Sequence, residues 1–201
     1  MPEITAQLVK DLRDRTGAAF LDCRNALNDT DGNIDKALDL LKIKGVAKAS
    51  KKVGRVTPEG SITSYIHAGG KIGVLLEINC ETDFVARNEE FQQLSREIAM
   101  QIAAANPMYI KAEDIPKSVV EKEKEVMKAQ VAEEGKKPEM ADKIVEGKIN
   151  KFFEEICLLE QAYIREPKTK IGELIQNAIA KIGENIVVRR FERYQLGEPL
   201  E

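Results

Sequence analysis

Between Lys71 and Ala105 the spacing of apolar residues changes from that of a strand to that of a helix. Ile72, Val74, Leu76 and Ile78 alternate, which points one face of an extended segment at a core. Phe91, Leu94, Ile98, Ile102 and Ala105 then recur at helical spacing. A chain that makes this change must cover a sheet face with a helix, so it folds in layers of both kinds. The change happens in Asn79-Cys80-Glu81-Thr82-Asp83-Phe84-Val85-Ala86-Arg87-Asn88, where one large aromatic stands among groups that favour helix starts. Two readings of Phe84 are open here. Asp83 caps the next helix while Phe84 and Val85 turn inward as a hydrophobic staple, or the junction presents Phe84 for a partner to bury.

The rest of the chain places this junction in an α+β fold. Residues 1–48 read as a three-helix, partner-docking unit. Ile4, Leu8 and Leu12 recur at helical spacing behind Thr5, a candidate cap, and Gly17 stands where that helix should end. A second helix covers about Ala18 to Asn28. Asp29 to Asn33 makes a turn, and Ile34, Ala37, Leu38 and Leu41 mark a third helix with Gly45 near its end. Residues 49–60, rich in Lys, Gly and Pro without apolar periodicity, form a linker. Strands follow at Ser61–Ala68 and Lys71–Asn79 about a Gly69-Gly70 turn, and a third at Ile186–Tyr194. With the helix ending near Ala105 and another from Ile171 to Ile182, these make an α+β core from 61–107 and 167–201. Residues 108–166 are an inserted helical hairpin. Glu134 to Pro138 breaks it, and Val145, Ile149, Phe152, Ile156 and Leu159 form a coiled-coil-like stripe along its second helix.

Composition narrows the function. Apolar residues make up 43% and charged residues 32%, a globular balance, and a net charge of -3 argues against a dedicated nucleic-acid binder. Charge is uneven locally. Lys42, Lys44, Lys48, Lys51, Lys52 and Arg55 form a run without an acid, either a solvated helix end or a patch for an acidic or phosphate-bearing partner. Cys23, Cys80 and Cys157 fit neither zinc spacing nor a disulfide framework and read as reduced structural thiols. No apolar signal region or membrane span is present, so a cytoplasmic location is expected. The single histidine, His67, has nothing beside it in sequence to orient it, and no phosphate-binding glycine loop or metal-ligand array occurs. An enzyme built on His67 or Cys80 has no support, and no cofactor or metal is expected. Phe20-Leu21, after Gly17-Ala18-Ala19, is a second apolar pair. Neighbouring helix positions point about 100 degrees apart, so one of the two can be buried while the other faces out.

Several blocks are similar to one family. Thr82-Asp83-Phe84-Val85-Ala86-Arg87-Asn88 resembles the signature of elongation factor Ts, the guanine-nucleotide exchange factor for elongation factor Tu. Thr16 to Leu27 resembles the family's N-terminal signature. Val145 to Phe152 and Leu158 to Gln161 resemble its hairpin segment, and Ala180 to Ile186 its C-terminal block. The resemblance spans essentially the whole chain. It implies an N-terminal unit of the ubiquitin-associated type, a core with a three-stranded antiparallel sheet, and a helical hairpin. It also implies a translation elongation factor that binds elongation factor Tu and promotes exchange of GDP for GTP. In the family the Asp-Phe pair enters the G domain beside the nucleotide and shifts groups that hold magnesium. Carried over, Asp83 and Phe84, flanked by Thr82 and Val85, are the intruding pair. Phe20 and Leu21 make the N-terminal contact, where many relatives carry methionines. Only one hairpin-helix unit is visible against two related subdomains in long members, which implies a homodimer. No membrane or direct nucleic-acid partner is expected.

Overall fold

The computed structural model describes residues 4–133 and 138–199. Helices α1 (Ala6–Thr16), α2 (Phe20–Asp29) and α3 (Ile34–Ser50) precede strands β1 (Glu59–Ile66) and β2 (Ile72–Cys80). A single turn, α4 (Asp83–Ala86), leads into α5 (Glu89–Ala105). Then come α6 (Lys117–Glu133), α7 (Pro138–Ile156), strands β3 (Ala162–Tyr163) and β4 (Glu166–Lys170), α8 (Ile171–Ile182) and β5 (Val187–Gln195). β1, β2 and β5 form an antiparallel sheet in that order, and β3 pairs with β4. The fold is the α+β class that the change of periodicity implies.

The chain divides into two compact units. One comprises Met1–Ser61, Asn79–Leu94 and Ile175–Val187; the other Ile62–Ile78, Ser95–Leu174 and Val188–Glu201.

In the first unit, α1 to α3 pack around Val9, Leu12, Cys23, Ala26, Leu27, Ala37 and Leu41. Thr5 caps α1 by accepting from Leu8 N at 3.2 Å, and Asn33 caps α3 by accepting from Lys36 N at 3.0 Å. Gly17 closes α1 at φ 65°, its N–H donating to Arg13 O at 2.7 Å. α3 does not stop near Gly45 but continues to Ser50. A Cβ added at Gly45 would meet the Cβ of Ala180 on α8 at 3.4 Å, an ordinary van der Waals contact, so the glycine here marks neither a turn nor a tight approach.

In the second unit, β2 buries Val74, Leu76 and Ile78, and α5 buries Ser95, Ile98, Ala99, Ile102 and Ala103. The Ser95 hydroxyl meets that of Thr63 on β1 at 2.5 Å. Gly69 and Gly70 turn the hairpin at φ 91° and 68°. α6 and α7 close on Met127, Val131, Val145 and Ile149. The expected break at Glu134–Lys137 lies outside the described residues. The α7 stripe stops at Ile156, and Leu159 belongs to a short 3-10 turn instead. Sequence reasoning missed β3 and β4, because Glu166-Pro167-Lys168-Thr169-Lys170 has no apolar alternation. A buried amide secures this region: Gln101 Nε2 donates to Gln161 Oε1 and Ala162 O, both at 3.2 Å, and Gln101 Oε1 accepts from Ile164 N at 2.9 Å.

Candidate functional site

The junction after β2 is a one-turn helix and not the start of α5. Thr82, rather than Asp83, is its cap: Thr82 Oγ1 accepts from Val85 N at 3.4 Å, while Asp83 pairs with Arg87 one turn on at 2.7 Å. Asn88 then starts a new helix by accepting from Glu90 N at 2.8 Å. Ala86 is buried and Val85 half-buried, which fixes the inward side of the turn. Phe84 points the other way and is 83% exposed, the most exposed large apolar side chain among the described residues. It is not a staple. Burying such a ring is worth about 1.5–3 kcal/mol, a reserve that only a partner can use.

The turn is exposed but tied from behind. Glu184, just past the C-terminus of α8, takes the O–H of Thr82 on one carboxylate oxygen at 2.7 Å. Its other oxygen accepts the N–H groups of Glu81 and Thr82 at 3.1 and 3.0 Å. Glu81 accepts Asn185 N at 2.7 Å and pairs with Arg55 at 3.4 Å, and Asn185 Nδ2 donates to Arg55 O at 3.0 Å. Asn185 N–H, aided by Arg55, holds the Glu81 carboxyl below the usual carboxylate range against the opposing effect of burial. Cys80 Sγ donates to Thr82 O at 3.2 Å, and burial with Glu184 nearby pushes that thiol up to about 11.

Phe20 and Leu21 open α2 and are 49% and 63% exposed, so neither is core. Cys23, Ala26 and Leu27 supply the buried side of that helix. Phe84, Phe20 and Leu21 therefore all stand exposed on the same compact unit. The basic run is largely committed within it. Lys44 pairs with Asp29 at 2.9 Å, Lys48 with Asp22 at 2.7 Å and Arg55 with Glu81, and Lys52 donates to Gly183 O. His67 is exposed, its Nδ1 3.1 Å from the Tyr65 hydroxyl. Among the described residues no group of three or more His, Cys, Asp or Glu side chains could hold a metal ion, and no helix is long and apolar enough to cross a membrane.

The family model described as elongation factor TS matches residues 46–198, which includes the whole Phe84 turn and its Glu184 anchor. The chain belongs to the elongation factor Ts family. Elongation factor Ts of Syntrophomonas wolfei is 57% identical over 98% of this chain and 92% of its own length. That of Caldanaerobacter subterraneus is 57% identical over 98% and 99%, and that of Thermodesulfovibrio yellowstonii 59% identical over 97% of both chains. Matches of this extent leave too few residues outside them to omit Phe20 and Leu21. As a member of the elongation factor Ts family the protein is a translation elongation factor.

Proposed function

We propose that this protein is a guanine-nucleotide exchange factor, not an enzyme, that binds elongation factor Tu in its GDP-bound and nucleotide-free forms and speeds replacement of GDP by GTP. The observation that carries this is Phe84, exposed on a turn held by a carboxylate clamp. Phe84 enters the partner's G domain beside the nucleotide, with Asp83 adjacent and Thr82 and Val85 forming the shoulders of the wedge. Displacing the groups that hold magnesium removes much of the nucleotide's hold, because the cation bridges its phosphates. Phe20 and Leu21 make a second contact with the same domain. No group on this chain needs to do covalent chemistry. An exchange factor binds the nucleotide-free partner better than the nucleotide-bound one, and by linkage each ligand weakens the other. Such action belongs in the cytoplasm, where translation runs, and calls for neither a membrane nor direct contact with nucleic acid.

The deciding measurement is release of labelled GDP from elongation factor Tu. Wild type accelerates release strongly, and Phe84→Ala cuts the stimulation about tenfold or more while leaving the fold intact. Asp83→Ala also loses stimulation. Unchanged stimulation by Phe84→Ala refutes the wedge.

We also propose a homodimer. Antiparallel sheets usually turn a polar face to water. Here Ile62, Ile66 and Tyr194 are exposed and Leu75 is half-exposed on strands whose alternate residues face inward, and Ile66 covers Gly73. A second copy covering this face would complete the binding surface of a short chain.

A further inference from the structure

We propose that Glu184 is the positioning residue that aims Phe84, so that exchange depends on a carboxylate about a hundred residues away in sequence that acts through the backbone at Glu81 and Thr82. This rests on the wedge reading of Phe84. A one-turn helix of four residues has too few internal hydrogen bonds to fix its own direction. Its attitude is set by where Glu81 and Thr82 enter it. Two successive backbone N–H groups and the Thr82 hydroxyl all end on Glu184, at 3.1, 3.0 and 2.7 Å. Three donors converging on one carboxylate fix both the position and the rotation of the two peptides that flank Glu81, just ahead of the turn. A carboxylate's two oxygens offer about four lone-pair sites for these three donors, whereas an amide at this position has one acceptor oxygen and cannot take all three.

The carboxylate is itself held. Gly183, at φ 91°, ends α8 and turns the chain, with its N–H on Ile179 O at 2.9 Å and its carbonyl accepting from Lys52. Asn185 on the other side donates to Glu81 and to Arg55 O. Gly183-Glu184-Asn185 thus joins two remote stretches, Lys52 to Arg55 and Glu81 to Thr82, to the end of α8. Phe84 is two residues from the last clamped peptide, so a loosened clamp lets the ring sweep over orientations that do not fit the partner. Exposure is unchanged; preorganisation is lost.

The test uses Glu184→Gln, Glu184→Asp, Phe84→Ala and the Glu184→Gln/Phe84→Ala double variant. In the free protein, amide hydrogen exchange at Glu81 and Thr82 is expected to accelerate roughly tenfold or more in Glu184→Gln, with the amides of α1 to α3 unchanged. GDP release should fall about tenfold with Glu184→Gln and recover in part with Glu184→Asp, which keeps both acceptor oxygens. The double variant should be no worse than Phe84→Ala alone, since a misaimed ring and a missing ring fail alike. Losses that multiply, or unchanged amide exchange, overturn the positioning role. So does full stimulation by Glu184→Gln beside an impaired Phe84→Ala, which leaves the wedge standing. Full stimulation by Phe84→Ala overturns the wedge and the positioning role with it. If Glu184→Gln lowers the melting point, the release assay is run where every variant is folded, and Glu184→Asp carries the same comparison.

Discussion

The Glu81 carboxylate accepts the backbone N–H of Asn185 at 2.7 Å across 104 positions of sequence, and this bond is the main reason the carboxyl titrates below its ordinary 4.5. A folded pKa below the unfolded one means stabilisation that is complete above the unfolded value and lost as pH falls through the folded value. Glu81→Gln should therefore lower the melting temperature near neutrality and shrink the further drop between about pH 6 and pH 3. Calorimetry of both proteins at the two pH values checks this. Equal drops would show that the Glu81 bond contributes nothing to acid sensitivity.

Gly17 ends α1 at φ 65°, and Lys181, paired with Glu90 at 2.6 Å, lies across it so closely that an added Cβ would meet its Cε at 2.6 Å. Gly17→Ala should cost about 1–2 kcal/mol from the left-handed backbone. Lys181 is flexible and can move aside, so the steric part is small. Gly17→Asn should cost less than Gly17→Ala, because Asn tolerates that conformation. Urea titrations of the two variants give the comparison, and equal losses would shift the cause from backbone to packing.

All three cysteines are free and buried. Burial pushes the thiols of Cys80 and Cys157 up to about 11. The reactive thiolate is then about a thousandth of the population at pH 8. Native protein should resist iodoacetamide on the timescale of hours and become fully labelled in denaturant. Rapid labelling of Cys80 in native protein would mean that the peptide at Thr82, which its Sγ contacts, opens readily.

The homodimer predicts a simple sedimentation result. Wild type should run as a dimer at micromolar concentration. Leu75→Lys, on the exposed face of β2, should run as a folded monomer, since a charge there costs nothing in water and much under a second copy. A monodisperse wild-type monomer would remove the proposal.

What the sequence made legible follows its local periodicity. The alternation of Ile72 to Ile78, the stripe from Phe91 to Ala105, and caps such as Thr5, Gly17 and Asn33 are short-range devices, and the structure contains them. β3 and β4 were not legible, because the short strands carry no apolar alternation and the Gln101 amide that contacts this region lies about sixty positions away. Glu184 was equally invisible as an anchor. Its donors are 102 and 103 residues distant, and a single exposed-looking glutamate after a helix carries no local mark.

Two phenylalanines seven positions apart separate fold from function. Phe91 is wholly buried at the start of α5, whereas Phe84 is the most exposed large apolar side chain among the described residues. Phe91→Ala leaves a cavity and should cost about 3–5 kcal/mol of stability. Phe84→Ala removes a ring that touches mostly water, and its effect on stability should stay within about 0.5 kcal/mol. GDP release should show the opposite pattern when measured per folded molecule, with Phe84→Ala defective and Phe91→Ala nearly normal. Denaturation and exchange assays on the same two preparations decide it. A Phe84→Ala protein that unfolds early would mean the ring is part of the fold after all, and the wedge would lose its only exposed aromatic.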